Sequence, residues 1–405
     1  MKKRPYFEEF WQTFDREKAL VFICGPRQCG KTFLARSIAA NQAVSAYLNY
    51  DVPADKARMV SQPSFFQTLD REPGVRPLII LDEIHKYKGW KNYLKGVYDG
   101  FSEEFRFLVT GSGRLDLYQQ RGDALAGRFR MFHMFPFTIG EMYAKGVRSA
   151  APGQELLEPS AAVSAGEETL AHLLRCSGFP EPFLTGSETG YRRWAASYHR
   201  QIVRSDVRDA FAVKDIDTME LLYTLLAARV GSPLSLAQLM DPLKTSHKTI
   251  SAWVSVFEKL MLLFRIRPYS RRVARSVLKE PKLYFYDYGR VQDENKRYEN
   301  LVAVELKRAA MSWTDYGLGD YDVRYLRNKE HQEVDFLVIR DGSPILMVEV
   351  KSGELDPSPT LLKFQSMLHV PAVQLVRRPG VNRVLRNGTD RVLVTEASRW
   401  LAQLG

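Results

Sequence analysis

Val21-Phe22-Ile23-Cys24 runs straight into Gly25-Pro26-Arg27-Gln28-Cys29-Gly30-Lys31-Thr32, and Phe33-Leu34-Ala35-Arg36-Ser37-Ile38-Ala39 follows. The first four residues are an unbroken apolar run, the pattern of a strand covered on both faces. The last seven carry apolar residues at helical spacing. Between them GxxxxGKT sits at a strand-to-helix junction, where a phosphate-binding loop requires it. The two glycines let successive backbone N–H groups curl around phosphate oxygens. The following helix contributes the positive end of its dipole. Residues Gly25, Pro26, Arg27, Gln28, Cys29, Gly30, Lys31, Thr32 and Phe33 are therefore the expected nucleotide cradle. Lys31 is expected to reach the β- and γ-phosphates, and Thr32 to offer its hydroxyl to Mg²⁺.

Downstream, Pro77-Leu78-Ile79-Ile80-Leu81 is a second apolar run, ending in Asp82-Glu83. A carboxylate at the C-terminal end of a buried parallel strand lies near the phosphate loop in doubly wound folds. Asp82 is assigned to Mg²⁺, and Glu83 to the attacking water as general base. Tyr47-Leu48-Asn49-Tyr50-Asp51 reads as a strand, and so does Phe105–Thr110, with Gly111-Ser112-Gly113 behind it. Thr110 or Ser112 is the candidate sensor of the γ-phosphate. Arg128, or its neighbour Arg130, is the candidate cation for transition-state charge, acting in cis or from a neighbouring copy in a homo-oligomer. These elements predict an α/β P-loop NTPase domain over residues 1–147, with ATP and Mg²⁺ as cofactors.

The segments GPRQCGKTFLA, LNYD, LIILDEIHK, LVTGSGR and AGRFRMFHMFPFTIGEM together resemble a group of bacterial and archaeal AAA-type ATPases within the AAA+ superfamily. In those proteins the C-terminal half is a domain of unknown function, and a winged helix lies between. The likeness spans nearly the whole chain. It implies an ATP hydrolase and agrees with the domain order read from the remaining sequence.

Residues 148–214 begin with a stretch rich in Ala, Ser, Glu, Gly and Pro and continue into helical sequence. They read as a linker and helical region. Residues 215–282 carry a helix, a short helix, a turn and a third helix with a polar start, Ser246-His247-Lys248-Thr249-Ile250-Ser251, the helix-turn-helix pattern. Leu262–Pro268 would open a wing. Between Arg265 and Lys282 lie seven basic residues against Glu280 alone. His247, Lys248, Thr249, Arg265, Arg267, Arg271, Arg272 and Arg275 are accordingly the expected DNA contacts, mostly to backbone phosphates.

Residues 283–405 read as helix, strand, strand, strand, helix, strand. Asp335 stands on one strand, with Glu349-Val350-Lys351 on the next. A spacing of two puts Glu349 and Lys351 on one face. Asp335 and Glu349 could hold Mg²⁺, and Lys351 could orient the attacking water. The pattern resembles the PD-(D/E)xK nuclease core, in which Glu299 matches the upstream helical acid and Glu305 is the weaker substitute. The Pro-Asp dipeptide of that core is absent.

Across the 405 residues, 58 Lys and Arg against 47 Asp and Glu give a formal charge of +11. That balance suits nucleic acid, and the basic segment above holds much of the excess. The basic opening, Met1-Lys2-Lys3-Arg4-Pro5, is followed by no long apolar run, so neither a secretory leader nor a membrane span is expected. Three cysteines without a CxxC pair fit a reducing, cytoplasmic setting rather than a disulfide or zinc framework. The combined expectation is an AAA-type ATPase that binds and processes DNA, branched or structured DNA included, with a Mg²⁺-dependent nuclease-like domain. Its rivals are a nucleotide-dependent regulatory switch and a DNA-binding ATPase whose nuclease-like domain is inactive and serves for docking.

Overall fold

The computed structural model describes residues 4–14, 20–111, 125–143, 154–157, 166–207, 215–270 and 280–404. It divides into two units, Met1–Pro136 with Lys259–Met261, and Phe137–Glu258 with Leu262–Gly405.

In the N-terminal unit the apolar run forms β1 (Leu20–Cys24), with every residue buried. Around it lie β2 (Ser45–Asn49), β3 (Leu78–Asp82), β4 (Arg106–Gly111) and β5 (Phe129–His133). All pair in parallel, in the order β2-β3-β4-β1-β5. Helices α1 (Pro5–Phe14), α2 (Lys31–Ala40), α3 (Pro53–Ser61) and α4 (Trp90–Phe101) complete the unit. Parallel strands need such crossovers, and helices on their faces leave strand sequence almost wholly apolar. Phe22, Ile79, Leu81, Phe107 and Val109 join Phe65, Phe66 and Trp90 in one core cluster. This is the P-loop NTPase sheet that the sequence predicts. β1 lies between β4 and β5, so the chain order reverses there, and a crevice opens beyond the strand C-termini.

The C-terminal unit contains α5 (Glu188–Gln201), α6 (Ile216–Ala227) and α7 (His247–Lys259). A strand pair, β6 (Leu263–Pro268) and β7 (Lys282–Phe285), follows. Then come α8 (Glu294–Asp315), β8 (Tyr321–Arg327), β9 (Glu333–Arg340), β10 (Ser343–Lys351), α9 (Pro359–Leu368), β11 (Ala372–Val376), β12 (Asn382–Asn387) and β13 (Asp390–Glu396). The sheet order is β12-β13-β11-β10-β9-β8-β6-β7. Asp293 caps α8 by accepting from Asn295 N and Lys296 N, and Ser358 caps α9 by accepting from Leu361 N. Such caps satisfy backbone donors that a helix start leaves open.

The strand pair expected as a wing is continuous with this sheet. β6 pairs with β8 at Arg267↔Arg324 and Pro268↔Tyr325, so strand pairing runs across residue 282. Lys282, counted above with the basic segment, is 1% exposed and faces acidic residues. Its charge therefore adds nothing to a DNA-facing surface. Among the described residues no helix is long and apolar enough to cross a membrane.

Candidate active site

Gly25 ends β1 where it passes close to the end of β5. Met134 N donates to Cys24 O at 2.7 Å, and a Cβ on Gly25 would stand 2.1 Å from Met134 O. Backbone carbonyls cannot give way as side chains do, so only glycine fits. Gly30 precedes α2 at φ 102°, a conformation natural to glycine. Lys31 Nζ donates to the carbonyls of Gly25 at 3.0 Å and Pro26 at 2.7 Å, lying back on its own loop. Buried Arg4 braces the loop from the start of the chain, donating to Cys29 O at 3.2 Å.

Asp82 ends β3 and is buried. It accepts from three hydroxyls: Thr32 at 2.8 Å, Tyr47 at 2.7 Å and Thr110. Tyr47 was not singled out in the sequence, because a tyrosine on an apolar strand looks like core. Burial, reinforced by the Asp82 carboxylate, raises its phenol to about 12. Two oxygen donors, the Thr32 hydroxyl and the Asp82 carboxylate, thus meet beside the phosphate loop. That hard-oxygen pair fits Mg²⁺, which typically takes one or two protein oxygens together with phosphates.

Glu83 follows at φ 57°, uncommon for a residue with a Cβ and a conformation that recurs at functional sites. Its N–H donates to Thr110 O at 3.0 Å. Lys86 Nζ lies 3.3 Å from its carboxylate and also donates to Asp51 at 2.7 Å. Burial raises the Glu83 pKa, while the Lys86 and Lys31 cations pull it back. The carboxylate thus stands next to Asp82 at the end of β3, held by Lys86.

A second acidic site lies in the C-terminal unit. Glu299 from α8, Asp335 and Glu333 from β9 and Lys282 from β7 meet there. Lys282 Nζ is 2.7 Å from Glu333, 3.3 Å from Glu299 and 3.4 Å from Asp335. Tyr284 donates its hydroxyl to Glu299 at 2.7 Å. Asp335 accepts from Val350 N at 2.9 Å, and Lys351 pairs with Glu349 at 3.0 Å. Burial lifts Glu299 and Glu349 each to about 7. Burial alone would lower Lys282, but Glu299, Asp335 and Glu333 outweigh it and hold the ammonium above the ordinary lysine value. Lys282 and Tyr284 carried no sequence signal for this site, whereas Glu333, two residues before Asp335 on β9, shares its face by strand alternation. Glu305 is elsewhere, accepting from Ile139 N at 2.9 Å. The donors do not fit Mg²⁺: a cation already stands among them, and among the described residues no three Asp, Glu, His or Cys side chains are arranged to hold a metal.

Residues 17–143 match the family model described as AAA domain. The N-terminal unit carries an AAA-type ATPase domain. Residues 167–292 and 295–398 match two domains of unknown function, DUF8612 and DUF4143. The chain is similar to an uncharacterised protein of Mycobacterium tuberculosis, 21% identical over 332 residues, covering 80% of this chain and 68% of the relative. An uncharacterised protein of Methanocaldococcus jannaschii is 28% identical over 223 residues, covering 51% of this chain and 46% of its own length. Among solved structures, the Aeropyrum pernix ORC1 protein in complex with DNA aligns at TM-score 0.31 and 14% identity, covering 74% of this chain and 91% of that one. AMPPCP-bound DnaA of Aquifex aeolicus aligns at TM-score 0.31 and 14% identity, covering 63% and 88%. Likeness at that level carries no inference about DNA or assembly.

Within the AAA domain, Thr110 commits its hydroxyl to Asp82, and Ser112 lies outside the described residues. Arg128 is at the wrong end of the sheet for a role in cis. Its carbonyl accepts from Leu20 N, at the start of β1, whereas the phosphate loop follows the end of β1. Five residues of strand, at about 3.3 Å each, separate the two. Its guanidinium pairs with Asp99 at 2.7 Å. Arg130 pairs in register with Val21, one residue further along. Of the expected DNA contacts, His247 and Lys248 are exposed at the start of α7, and Thr249 hydrogen-bonds Ser246. Arg265 donates to Glu258 at 2.8 Å, so its charge is largely spent. Arg267 is half-buried on β6. Arg271, Arg272 and Arg275 lie outside the described residues.

Proposed function

We propose that this protein is an ATP hydrolase whose nucleotide state governs its grip on DNA. The observation that carries the first half is the convergence of Thr32 on Asp82 beside the P-loop, with Glu83 next in the chain. On nucleotide binding, Lys31 would exchange the carbonyls of Gly25 and Pro26 for charged phosphate oxygens, a stronger set of acceptors. Thr32 and Asp82 would hold Mg²⁺, which supplies charge neutralisation across the phosphates. Glu83 would accept the proton of the attacking water at its carboxylate, kept in place by Lys86. Arg128 is out of reach of its own P-loop, so an arginine contact of this kind would come from a second copy in a homo-oligomer.

DNA would be held by the exposed start of α7, His247 and Lys248, together with Arg267, Arg271, Arg272 and Arg275. Neutralised phosphates release counterions, so such binding must weaken steeply with salt. ATP turnover should vanish in Lys31→Ala and in Glu83→Gln, with Glu83→Gln still binding ATP. Normal hydrolysis by Glu83→Gln would remove the base assignment. A salt titration against single-stranded, duplex and branched DNA tests the second half, and a flat response would sink it.

A further inference from the structure

Lys282 sits at the start of β7, the outermost strand of the sheet, yet its side chain is 1% exposed. A buried ammonium persists only where carboxylates replace its water, and three do so here. Glu333 at 2.7 Å is the nearest, with Glu299 and Asp335 at 3.3 and 3.4 Å. Gly231 closes one side, since a Cβ there would stand 2.7 Å from Glu299 Oε2. The other lysine of the cluster, Lys351, is spent on Glu349.

We propose that Lys282 takes the cation position of this carboxylate cluster, so that the C-terminal core supplies its own cation, binds no divalent metal there and does not cleave phosphodiesters. Magnesium or calcium needs several oxygens converging at roughly 2.0–2.6 Å. Here three of the four acids point an oxygen at the Lys282 ammonium instead, and the fourth, Glu349, at that of Lys351. A divalent ion entering among them would also face the Lys282 charge at close range, with little water to screen it. The ion pairs do structural work: together with the β6–β8 pairing and the hydrogen bonds of Asn300 to Phe285, they tie the β6–β7 pair to α8 and β9. The inference stands apart from ATP hydrolysis and survives if that reading fails.

The test is Mn²⁺ binding to the nucleotide-free 405-residue chain, read by electron paramagnetic resonance of free Mn²⁺, beside nicking of supercoiled plasmid in Mn²⁺. The wild type and Asp335→Asn should take up equal Mn²⁺ and show equal, background nicking. Lys282→Met should gain about one further Mn²⁺ per chain, the single vacancy left by the removed cation. That gain should disappear in the double variant with Asp335→Asn. Wild-type Mn²⁺ uptake or nicking that is lost in Asp335→Asn would overturn the proposal, and this arm decides even where Lys282→Met is unstable. A folded Lys282→Met that gains no Mn²⁺ would overturn it equally.

Discussion

Glu299→Gln should flatten the dependence of stability on pH. Burial raises the Glu299 pKa from 4.5 to about 7, against the pull of Lys282. In the interval between those values the folded chain keeps a proton that the unfolded chain releases. Stability from this group is therefore complete below pH 4.5, falls as pH rises, and is exhausted above about 7. At about 1.4 kcal/mol per pH unit, the interval is worth about 3 kcal/mol. Glu349 behaves in the same sense, but both acids face Asp335, so the two contributions do not simply add. Glutamine keeps the oxygen that accepts from Tyr284 and Lys282, and it cannot titrate. Urea unfolding of the C-terminal unit, followed by fluorescence of buried Trp313 and Trp400 from pH 5 to 8, should show the wild type losing stability with rising pH. The variant should lose about 3 kcal/mol less over that range. A variant curve parallel to the wild type would refute the assignment of that proton to Glu299.

Tyr47→Phe removes one of three hydroxyl donors to buried Asp82, so it should cost about 2 kcal/mol of stability in a thermal melt, with slowed ATP turnover. Gly25→Ala should abolish binding of a fluorescent ATP analogue, because its Cβ has no room beside Met134 O. Arg128→Ala should leave the Kd for ATP unchanged. If the contact comes from a second copy, the wild type's turnover should rise with protein concentration and the variant's should not.

The AAA domain was largely legible in the chain. Its central strands β1, β3 and β4 hold short apolar runs, and the glycine spacing at Gly25 and Gly30 is a local requirement of the loop. Local chemistry of that kind leaves a local signature. The carboxylate cluster was half legible. The Glu349–Lys351 spacing and the place of Asp335 follow from strand alternation, and Glu299 follows from the order of elements. Glu333 shares the Asp335 face by the same alternation; Lys282 and Tyr284 did not follow, since β7 reaches the cluster through the pairing of β6 with β8 and its packing on α8, residues far apart in sequence. Lys282 even counted toward the opposite conclusion, as one more basic residue on a DNA-facing segment.

Sequence alone determined the P-loop fold and marked Lys31 and Thr32 at the start of α2 and Asp82 and Glu83 at the end of β3, because the glycine spacing and the apolar runs fix those places. Tertiary structure decided what the charges do. It set Arg128 at the end of the sheet away from its own phosphate loop, paired Arg265 with Glu258, and turned Lys282 into an acidic interior. A charge has no periodicity to betray its partner; only the packing of distant strands brings the two together.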